Sequence, residues 1–410
     1  MPRDVVIVSA CRTAIGAFGG SLKTVKAPTL GAIVMKEAIK RAKIESSIIQ
    51  DVRFGNCLEP IDALNIARVS AMMADIPYTV PAVTINRVCI SGMESVLSGV
   101  WQIQAGMTDV VLAGGVESMS NVPYVVEEAR WGCRLQDKVF KDGLINGLYA
   151  GSHYVPYPKD GPVEWARGKP YIMGLTAEFL AQKYKFTRLE QDEVALRSHN
   201  EAERATNDGT FTDEIVPVTY KHRKKGEIVV SKDEHFQRDA TMEKLAKLRP
   251  AFIPKTGTVT AGNASGINDG AAAMIIMSEE KCTELGLKPL ARITGMGMGG
   301  SEPYYMGLSP VPATNDLIRR TGMSLDEFER IEVNEAFASQ YLAVERELGL
   351  NRDITNVHGS GIGLGHPVGA TGARIMVTLL YELIHTGKTK GLATLCGGGG
   401  VSEAVAIERL

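Results

Sequence analysis

Cys89 is the residue in this sequence that is best placed to act as a nucleophile. It follows an apolar, β-branched run at residues 80–85, which predicts a buried strand. The apolar residues after it have the spacing of a helix face: Met93, Val96, Leu97, Val100 and Ile103. A helix N-terminus carries unpaired N–H groups and partial positive charge, so we expect it to lower the thiol pKa and favour the thiolate. On local sequence alone, an ordinary buried cysteine stays an open alternative.

Three further residues could take part in chemistry with Cys89. Asn334 follows a strand-like run, His366 lies within the glycine-rich segment 363–372, and Cys396 precedes four consecutive glycines. Each is a weak signal alone, because a lone histidine is often structural and a glycine run is often a turn. Together they supply a thiol nucleophile, an imidazole base, a second thiol, a side-chain amide and backbone N–H donors, which are the parts of an acyl-transfer cleft.

The elements that must position these residues alternate between strands and helices, which predicts an α/β fold. Strands are expected at residues 5–8, 52–54, 81–85, 109–113, 272–277, 292–294, 330–333, 391–395 and 404–407. Helices are expected at residues 31–42, 65–74 and 93–105.

The two ends of the chain resemble each other. Cys89 opens a helix that leads to a strand and then to Gly114-Gly115, and His366 opens a helix that leads to a strand and then to Cys396-Gly397-Gly398. This pattern indicates a duplicated strand–turn–helix–strand unit. It would place Cys89 and His366 at equivalent helix N-termini, facing one cleft.

Between these two similar regions the composition of the sequence changes. Glycine and proline punctuate the chain after about residue 118, and helices are expected at residues 174–184 and 188–208. The stretch 221–249 holds nine Lys or Arg residues. Such a stretch is usually a solvated surface, and the functional alternative is a phosphate-binding loop domain inserted into the core.

Bulk composition limits the function further. The chain has 410 residues and a net charge of -2, so no overall basicity points to nucleic acid. Six cysteines are scattered without CxxC spacing, which argues against a zinc site or a disulfide framework and fits a cytoplasmic protein. No apolar run approaches the length of a membrane span.

The four motifs around Cys89, Asn334, His366 and Cys396 resemble those of the thiolase family. The resemblance covers nearly the whole chain and extends to residues 9–16, 115–120 and 258–268. It implies a five-layered αβαβα core of two similar halves with an inserted loop domain. The halves are expected at residues 1–118, completed by about 268–288, and at 289–410, with the loop domain at 119–267. The resemblance further implies acyl-CoA and CoA as substrates, no cofactor, and dimers that often pair into tetramers.

The resemblance also implies roles for single residues. Cys89 would accept the acyl group, His366 would take its proton, and Cys396 would serve as the second acid/base. Asn334 would hold a water in one oxyanion hole, and the N–H groups of Cys89 and Gly398 would form another. The residues expected to contact substrate or CoA are Met173, Ala264, Ser265, Arg238 and Lys244.

Three departures from the biosynthetic acetoacetyl-CoA thiolases concern substrate choice. Ile172 stands where those proteins usually have histidine, residues 151–170 resemble an insertion, and the loop arginine expected near the CoA adenine falls on Gln237, with Arg238 beside it. The run 187–199 is more similar to fatty-acid-degrading thiolases.

Three other functions are weighed against a thiolase. A β-ketoacyl synthase shares the fold but uses two histidines, and Cys396 argues against it. An inactive acyl-CoA-binding protein is disfavoured by the four intact residues. A papain-like protease has no use for the duplication or the second thiol.

Overall fold

The chain folds into alternating strands and helices, as expected for an α/β protein. The computed structural model describes residues 3–410, so residues 1 and 2 of the expected N-terminal half lie outside it. The strands are β1 (Val5–Thr13), β2 (Gly16–Ala17), β3 (Asp51–Gly55), β4 (Ala82–Ile85), β5 (Val110–Ser118), β6 (Tyr124–Val125), β7 (Lys141–Asp142), β8 (Ile215–Val216), β9 (Val218–His222), β10 (Gly226–Val230), β11 (Asn268–Ser278), β12 (Ala291–Gly300), β13 (Arg330–Val333), β14 (Lys390–Gly397) and β15 (Val401–Arg409). The α-helices are α1 (Ala27–Ala42), α2 (Ile66–Met73), α3 (Ser91–Gln104), α4 (Gly143–Gly147), α5 (Met173–Tyr184), α6 (Arg188–Asp208), α7 (Met242–Ala246), α8 (Glu279–Glu284), α9 (Pro310–Thr321), α10 (Ala338–Leu348), α11 (Gly361–Leu364) and α12 (Val368–Thr386).

The main sheet consists of two parts with the same strand order. In the N-terminal half the order is β4-β3-β5-β11-β1, and in the C-terminal half it is β13-β14-β15-β12. In both parts a parallel pair (β3 with β5, β13 with β14) is followed by antiparallel pairs, and in the first part β4 adds a second parallel pair with β3. The parts join where β1 pairs briefly with β12. The duplication expected from the sequence is therefore present in the topology, with β4 as an extra edge strand in the first half.

Helix packing produces five layers, as expected. Helices α1 and α2 cover one face of the N-terminal part of the sheet, and α9 and α10 lie outside the C-terminal part. Between the two parts lies a shared layer of α3 and α12, and α12 packs on strands of both halves. The strands β1, β5 and β11 are buried along their whole length, which explains their continuous apolar sequences.

Strand β5 continues through two glycines beyond the predicted strand 109–113. Gly114 and Gly115 lie inside β5, which ends only at Ser118. A Cβ on Gly115 would lie 2.3 Å from the carbonyl oxygen of Gly369 in α12. The predicted end of the strand at residue 113 was too early, because these glycines let a neighbouring backbone approach the strand and do not reverse the chain.

Glycines also let the two central helices cross closely. A Cβ on Gly372 of α12 would lie 2.4 Å from the backbone nitrogen of Met93 in α3, and one on Gly92 would lie 2.9 Å from that of Ala373. The close crossing brings together the first turns of α3 and α12. Cys89 and His366 each lie two residues before the first residue of their helix.

The loop domain runs between β5 and β11 and contains α4 to α7. Helix α6 matches its predicted bounds and begins with a capping box formed by Thr187 and Glu190. The basic stretch 221–249 forms the hairpin β9–β10 and the short helix α7, and most of its cations are exposed. Residues 151–170 pack a small aromatic cluster around the buried Tyr157. Over residues 3–410, no helix has the length and apolar character needed to cross a membrane.

Candidate active site

One apolar cavity contains the three residues that the sequence singled out for proton and acyl transfer. Cys89, His366 and Cys396 line a cavity of about 280 Å³ beneath the loop domain. Met173, Ala264 and Ser265, expected to contact substrate, line it as well. The apolar lining comes from several elements: Met119, Leu148, Ile172, Ala251, Phe252, Ile267, Met306, Ala336, Phe337 and Val368. The expected convergence of the two helix N-termini on one cleft is therefore present.

A tight turn holds Cys89 between β4 and α3. Val88 has a φ of 52°, which is rare for a β-branched residue. Its N–H donates to the Asn86 side chain at 3.1 Å, and its carbonyl accepts from the N–H of Ser91 at 3.1 Å. The Ser91 hydroxyl also accepts from the N–H of Arg87 at 2.8 Å. These bonds hold the strained backbone in place, and the nucleophile candidate is fixed at the cavity wall.

His366 is held so that one ring nitrogen is engaged by protein. Its Nδ1 lies 2.7 Å from the hydroxyl of Thr371, and that hydroxyl donates to the carbonyl of Pro367 at 3.1 Å. A hydroxyl that donates to Pro367 can accept from Nδ1–H, and in that tautomer Nε2 is unprotonated and able to accept a proton. The backbone N–H of His366 donates to Asn268 at 2.8 Å.

Asn334 and Gly398 complete the predicted constellation from two loops of the C-terminal half. The Asn334 amide nitrogen lies 3.4 Å from Nδ1 of His366, and its side-chain oxygen is buried without a hydrogen-bond partner among residues 3–410. The backbone N–H groups of Gly398 and of Cys89 act on the Cys89 thiol by lowering its pKa. Gly399 and Gly400, with φ of 82° and 86°, turn the chain directly after Gly398.

The pKa values of the three groups differ from the sequence-based expectation. Burial raises the pKa of the Cys89 thiol to about 11, more than the N–H groups of Gly398 and Cys89 lower it. Burial lowers the pKa of His366 to about 3 and raises that of Cys396. The prediction of a helix-activated Cys89 thiolate is wrong for the free protein, because burial outweighs the effect of the N–H groups on the thiol pKa. Both thiols are protonated and the imidazole is neutral.

The segment 258–268 forms one wall of the cavity and is fastened to neighbouring elements. The N–H of Ser265 donates to the carbonyl of Ala336 at 2.9 Å, and Ala264 bridges to Phe337. From the other side, His199 of α6 contacts the carbonyl of Gly262 at 3.0 Å. The wall is therefore set by contacts to both the C-terminal half and the loop domain.

Arg238 and Lys244 do not line the cavity. Both are exposed on the loop domain, and the Lys244 ammonium donates to the carbonyl of Asp239 at 2.5 Å. The neighbouring Gln237 donates its N–H to His199, which places this segment next to Gly262. Arg238 and Lys244 thus lie outside the apolar cavity, on the surface that borders its wall.

Two residues with contacts to this constellation were given no role from the sequence. Thr371 contacts Nδ1 of His366 through its hydroxyl, and Glu117 accepts from the first turn of α12. Both lie within motifs that were noted, but nothing in a linear sequence shows which side chain faces a histidine or a helix terminus.

The duplicated five-layer core, with a cavity walled by two thiols and an imidazole, is that of an acyltransferase enzyme. The chain belongs to the thiolase family. The family model for the thiolase N-terminal domain matches residues 5–280, and that for the thiolase C-terminal domain matches residues 287–409.

Relatives align over essentially the full length of the chain. An acetyl-CoA acetyltransferase of Syntrophomonas wolfei is 48% identical over 412 aligned residues, covering 100% of both chains. The β-ketothiolase BktB of Cupriavidus necator is 44% identical over the same share of each chain. The crystal structure of the human mitochondrial 3-ketoacyl-CoA thiolase is similar with a TM-score of 0.93 at 41% identity, covering 100% of this chain and 99% of that one.

Proposed function

We propose that this thiolase transfers an acyl group through a thioester on Cys89, condensing acetyl-CoA with an acyl-CoA or cleaving a 3-ketoacyl-CoA with CoA. The observation that carries the proposal is the meeting of Cys89, His366 and Cys396 in one apolar cavity. Coenzyme A enters this scheme as a substrate.

In the first half-reaction Cys89 attacks the carbonyl of the acyl thioester. Its sulfur–carbon bond forms while Nε2 of His366 takes the thiol proton, the carbon–sulfur bond to CoA breaks, and the CoA thiolate takes the proton of Cys396, which becomes a thiolate. Because the free thiol and imidazole are both neutral, the proton moves with the attack rather than before it. The N–H groups of Cys89 and Gly398 would stabilise the oxyanion, an interaction that can contribute about 3 kcal/mol per donor.

In the second half-reaction the Cys396 thiolate removes the α-proton of acetyl-CoA, and the imidazolium of His366 returns its proton to the Cys89 thiolate when that thiolate is released. Removal of the α-proton gives an enolate, whose carbon attacks the acyl group on Cys89 and releases the Cys89 thiolate. The amide of Asn334 beside His366 would hold a water that stabilises the enolate oxygen. Thiolysis is the reverse: the carbon–carbon bond breaks, Cys396 protonates the enolate, and CoA takes the acyl group from Cys89.

The cavity wall and the basic surface beside it suit the two ends of CoA. Met173, Ala264 and Ser265 would contact the pantetheine arm and the acyl group, and Arg238 and Lys244 would hold the phosphates or the adenine outside. The cavity lining contains no Asp, Glu, Lys or Arg among the described residues, and the imidazole of His366 is neutral, which favours acyl chains that carry no charge.

Assembly into dimers or tetramers is part of the proposal. Strand β4 lies at the edge of the sheet, where a second copy could continue it. Apolar side chains of the segment 124–140 are more than a third exposed: Tyr124, Val125, Trp131, Leu135, Val139 and Phe140. Such an exposed apolar group fits a protein interface. The six free thiols fit a cytoplasmic setting.

A thiolysis assay on a series of 3-ketoacyl-CoA chain lengths tests the proposal. We expect CoA-dependent cleavage that is lost in Cys89→Ala by several orders of magnitude. After incubation with acetyl-CoA, peptide mass mapping should place the acetyl group on Cys89. Binding of acyl-CoA without turnover would instead identify an inactive family member, and an acetyl group found only on Cys396 would refute the role of Cys89.

A further inference from the structure

The strand pairings of the two halves allow residue-by-residue comparison around the cavity. Gly55 lies opposite Gly115 where β3 pairs with β5, and Val333 lies opposite Thr394 where β13 pairs with β14. Gly55 and Val333 are the last residues of their strands, and each is followed by asparagine. The two ladders can therefore be matched at these pairs.

The match relates Asn56 to Asn334 and Glu117 to Cys396. Glu117 comes two residues after Gly115, and Cys396 two residues after Thr394. In the N-terminal half the Asn56 amide donates to Glu117 at 3.0 Å. The position that carries the second thiol in the C-terminal half thus carries a carboxylate in the N-terminal half.

Glu117 is fully buried, and backbone donors surround its carboxylate. It accepts from the N–H groups of Cys57 at 2.9 Å, Leu58 at 3.2 Å and Gly369 at 2.9 Å, in addition to Asn56. The carboxylate therefore joins the loop after β3 to a helix of the other half.

Gly369 is the link to His366. It is the second residue of α12 and lies three residues after His366, so its N–H is one of the unpaired donors of the helix terminus. A Cβ at Gly369 would lie 2.6 Å from Glu117 Oε2 and from the Cys57 nitrogen. The absence of a side chain lets the carboxylate reach the helix directly.

The same carboxylate is close to the nucleophile. Cys57, whose N–H bonds Glu117, packs with Cys89, Met119 and Val368 in one small cluster. The negative charge of Glu117 raises the pKa of Cys89. Burial raises it more, and the Gly398 N–H lowers it. Loss of that charge should make the thiol more acidic.

We propose that Glu117 is a positioning residue for the acyl transfer: it fixes the first turn of α12, and with it His366, relative to Cys89. The role rests on the proposed functions of Cys89 and His366. It differs from that of its counterpart Cys396, because the carboxylate has its donors within the protein and does not line the cavity.

Three variants test this role. Glu117→Gln removes the charge and leaves at least one backbone N–H facing an amide NH₂. Glu117→Asp keeps the charge but shortens the reach to Gly369. The control is Glu382→Gln, which alters a buried carboxylate at the far end of the same helix, where it pairs with Arg330 and His358. For each variant, kcat and KM, the melting temperature, and the rate of Cys89 alkylation by iodoacetamide at pH 8 are measured.

We expect Glu117→Gln to lower kcat by about tenfold or more with KM little changed, since small misplacements of a catalytic group are costly. Its Cys89 should nevertheless be alkylated faster than in the wild type. Glu117→Asp should lower kcat without the faster alkylation, and Glu382→Gln should lower only the melting temperature.

Two results would overturn the inference: wild-type kcat in Glu117→Gln, or a loss of kcat with alkylation unchanged or slower. Absence of turnover in the wild type would refute the proposed function instead, so the two failures are distinguishable.

Discussion

Strands β5 and β14 are counterparts in the two halves, and they differ most at their last residues. The end of β5 is covered by the first turn of α12 and by the loop at residues 56–58, which together saturate Glu117. The end of β14 continues into four glycines, and Cys396 there faces the cavity. The same position in a duplicated scaffold is thus structural in one half and open to substrate in the other. The two positions differ because neighbouring backbone fills the space in front of the Glu117 side chain but not the space in front of Cys396.

At the starts of α3 and α12 the opposite holds, because the equivalent positions of both halves face the cavity. Cys89 and His366 occupy equivalent positions before α3 and α12, and both reach the same cavity although their chemistry differs. The cavity therefore lies where the two halves meet, and neither half could form it alone. The following predictions test this division of roles.

Of the changes described below, replacement of Cys396 should have the largest effect, because this position takes part in the proposed chemistry and its counterpart in the other half does not. Cys396→Ser keeps the size but raises the pKa, so we expect turnover to fall by about 10² to 10⁴, as for loss of a general acid–base group. The acetyl-enzyme on Cys89 should still form. Deuterium exchange at the methyl group of acetyl-CoA, followed by NMR, should be lost.

The control for this change is Cys282→Ser, at a buried thiol that contacts the carbonyl of Leu287. It should keep wild-type exchange. Exchange at the wild-type rate in Cys396→Ser would assign the α-proton to another base, with His366 the first candidate.

Separating the two helix starts should reduce both activity and stability. A Cβ at Gly372 would lie 2.4 Å from the Met93 nitrogen, so Gly372→Ala should push α12 away from α3. We expect a loss of about 1–3 kcal/mol in the free energy of unfolding, as for overpacked cores, and a fall in kcat of about tenfold or more. Denaturant unfolding and steady-state kinetics provide the measurements.

The matched control is Gly300→Ala at the end of β12, where the nearest atom to the new Cβ is 3.5 Å away. It should change neither quantity. A Gly372→Ala variant with normal kcat would show that the close crossing is not needed to align Cys89 with His366.

Removing cations from the loop domain should affect CoA binding but not chemistry. The double variant Arg238→Ala/Lys244→Ala should raise KM for CoA several-fold with little change in kcat, and the effect should shrink at high salt. The same change of charge on α9, Arg319→Ala/Arg320→Ala, should leave KM unaltered. Equal KM values for the two double variants at low ionic strength would identify the basic stretch as a solvated surface only.

The last prediction concerns stability and not activity: its pH dependence, where the two halves act in opposite directions. The pKa of His366 is lowered to about 3 in the folded protein, so between pH 6.5 and 3 the unfolded chain binds more protons and stability falls as pH falls. The pKa of Glu117 is raised to about 7, so between pH 4.5 and 7 the folded chain binds more protons and stability falls as pH rises.

Melting temperatures measured from pH 4 to 8 separate these contributions. His366→Asn should flatten the loss on the acid side, and Glu117→Gln should flatten the loss toward neutral pH. Unchanged slopes in both variants would contradict the assignment of these protonation states.

The sequence alone was sufficient for the α/β class, the duplication, the family resemblance and the convergence of Cys89, His366 and Cys396. Those features depend on local signals: apolar periodicity, glycine-rich turns, and the spacing of a few reactive residue types. The bounds of α6 were also correct, because Thr187, Glu190 and Gly209 mark its ends.

Tertiary structure decided the protonation states and the purpose of the glycines. Burial, which a linear sequence does not display, reverses the pKa shift that the helix N-terminus would give Cys89 in water. Gly115 and Gly372 were indistinguishable from turn glycines until the backbone packed against each was known. Glu117 acts through partners that are distant in sequence, and Thr371 acts because its side of the first helix turn faces His366. Only the folded chain therefore defines these two roles.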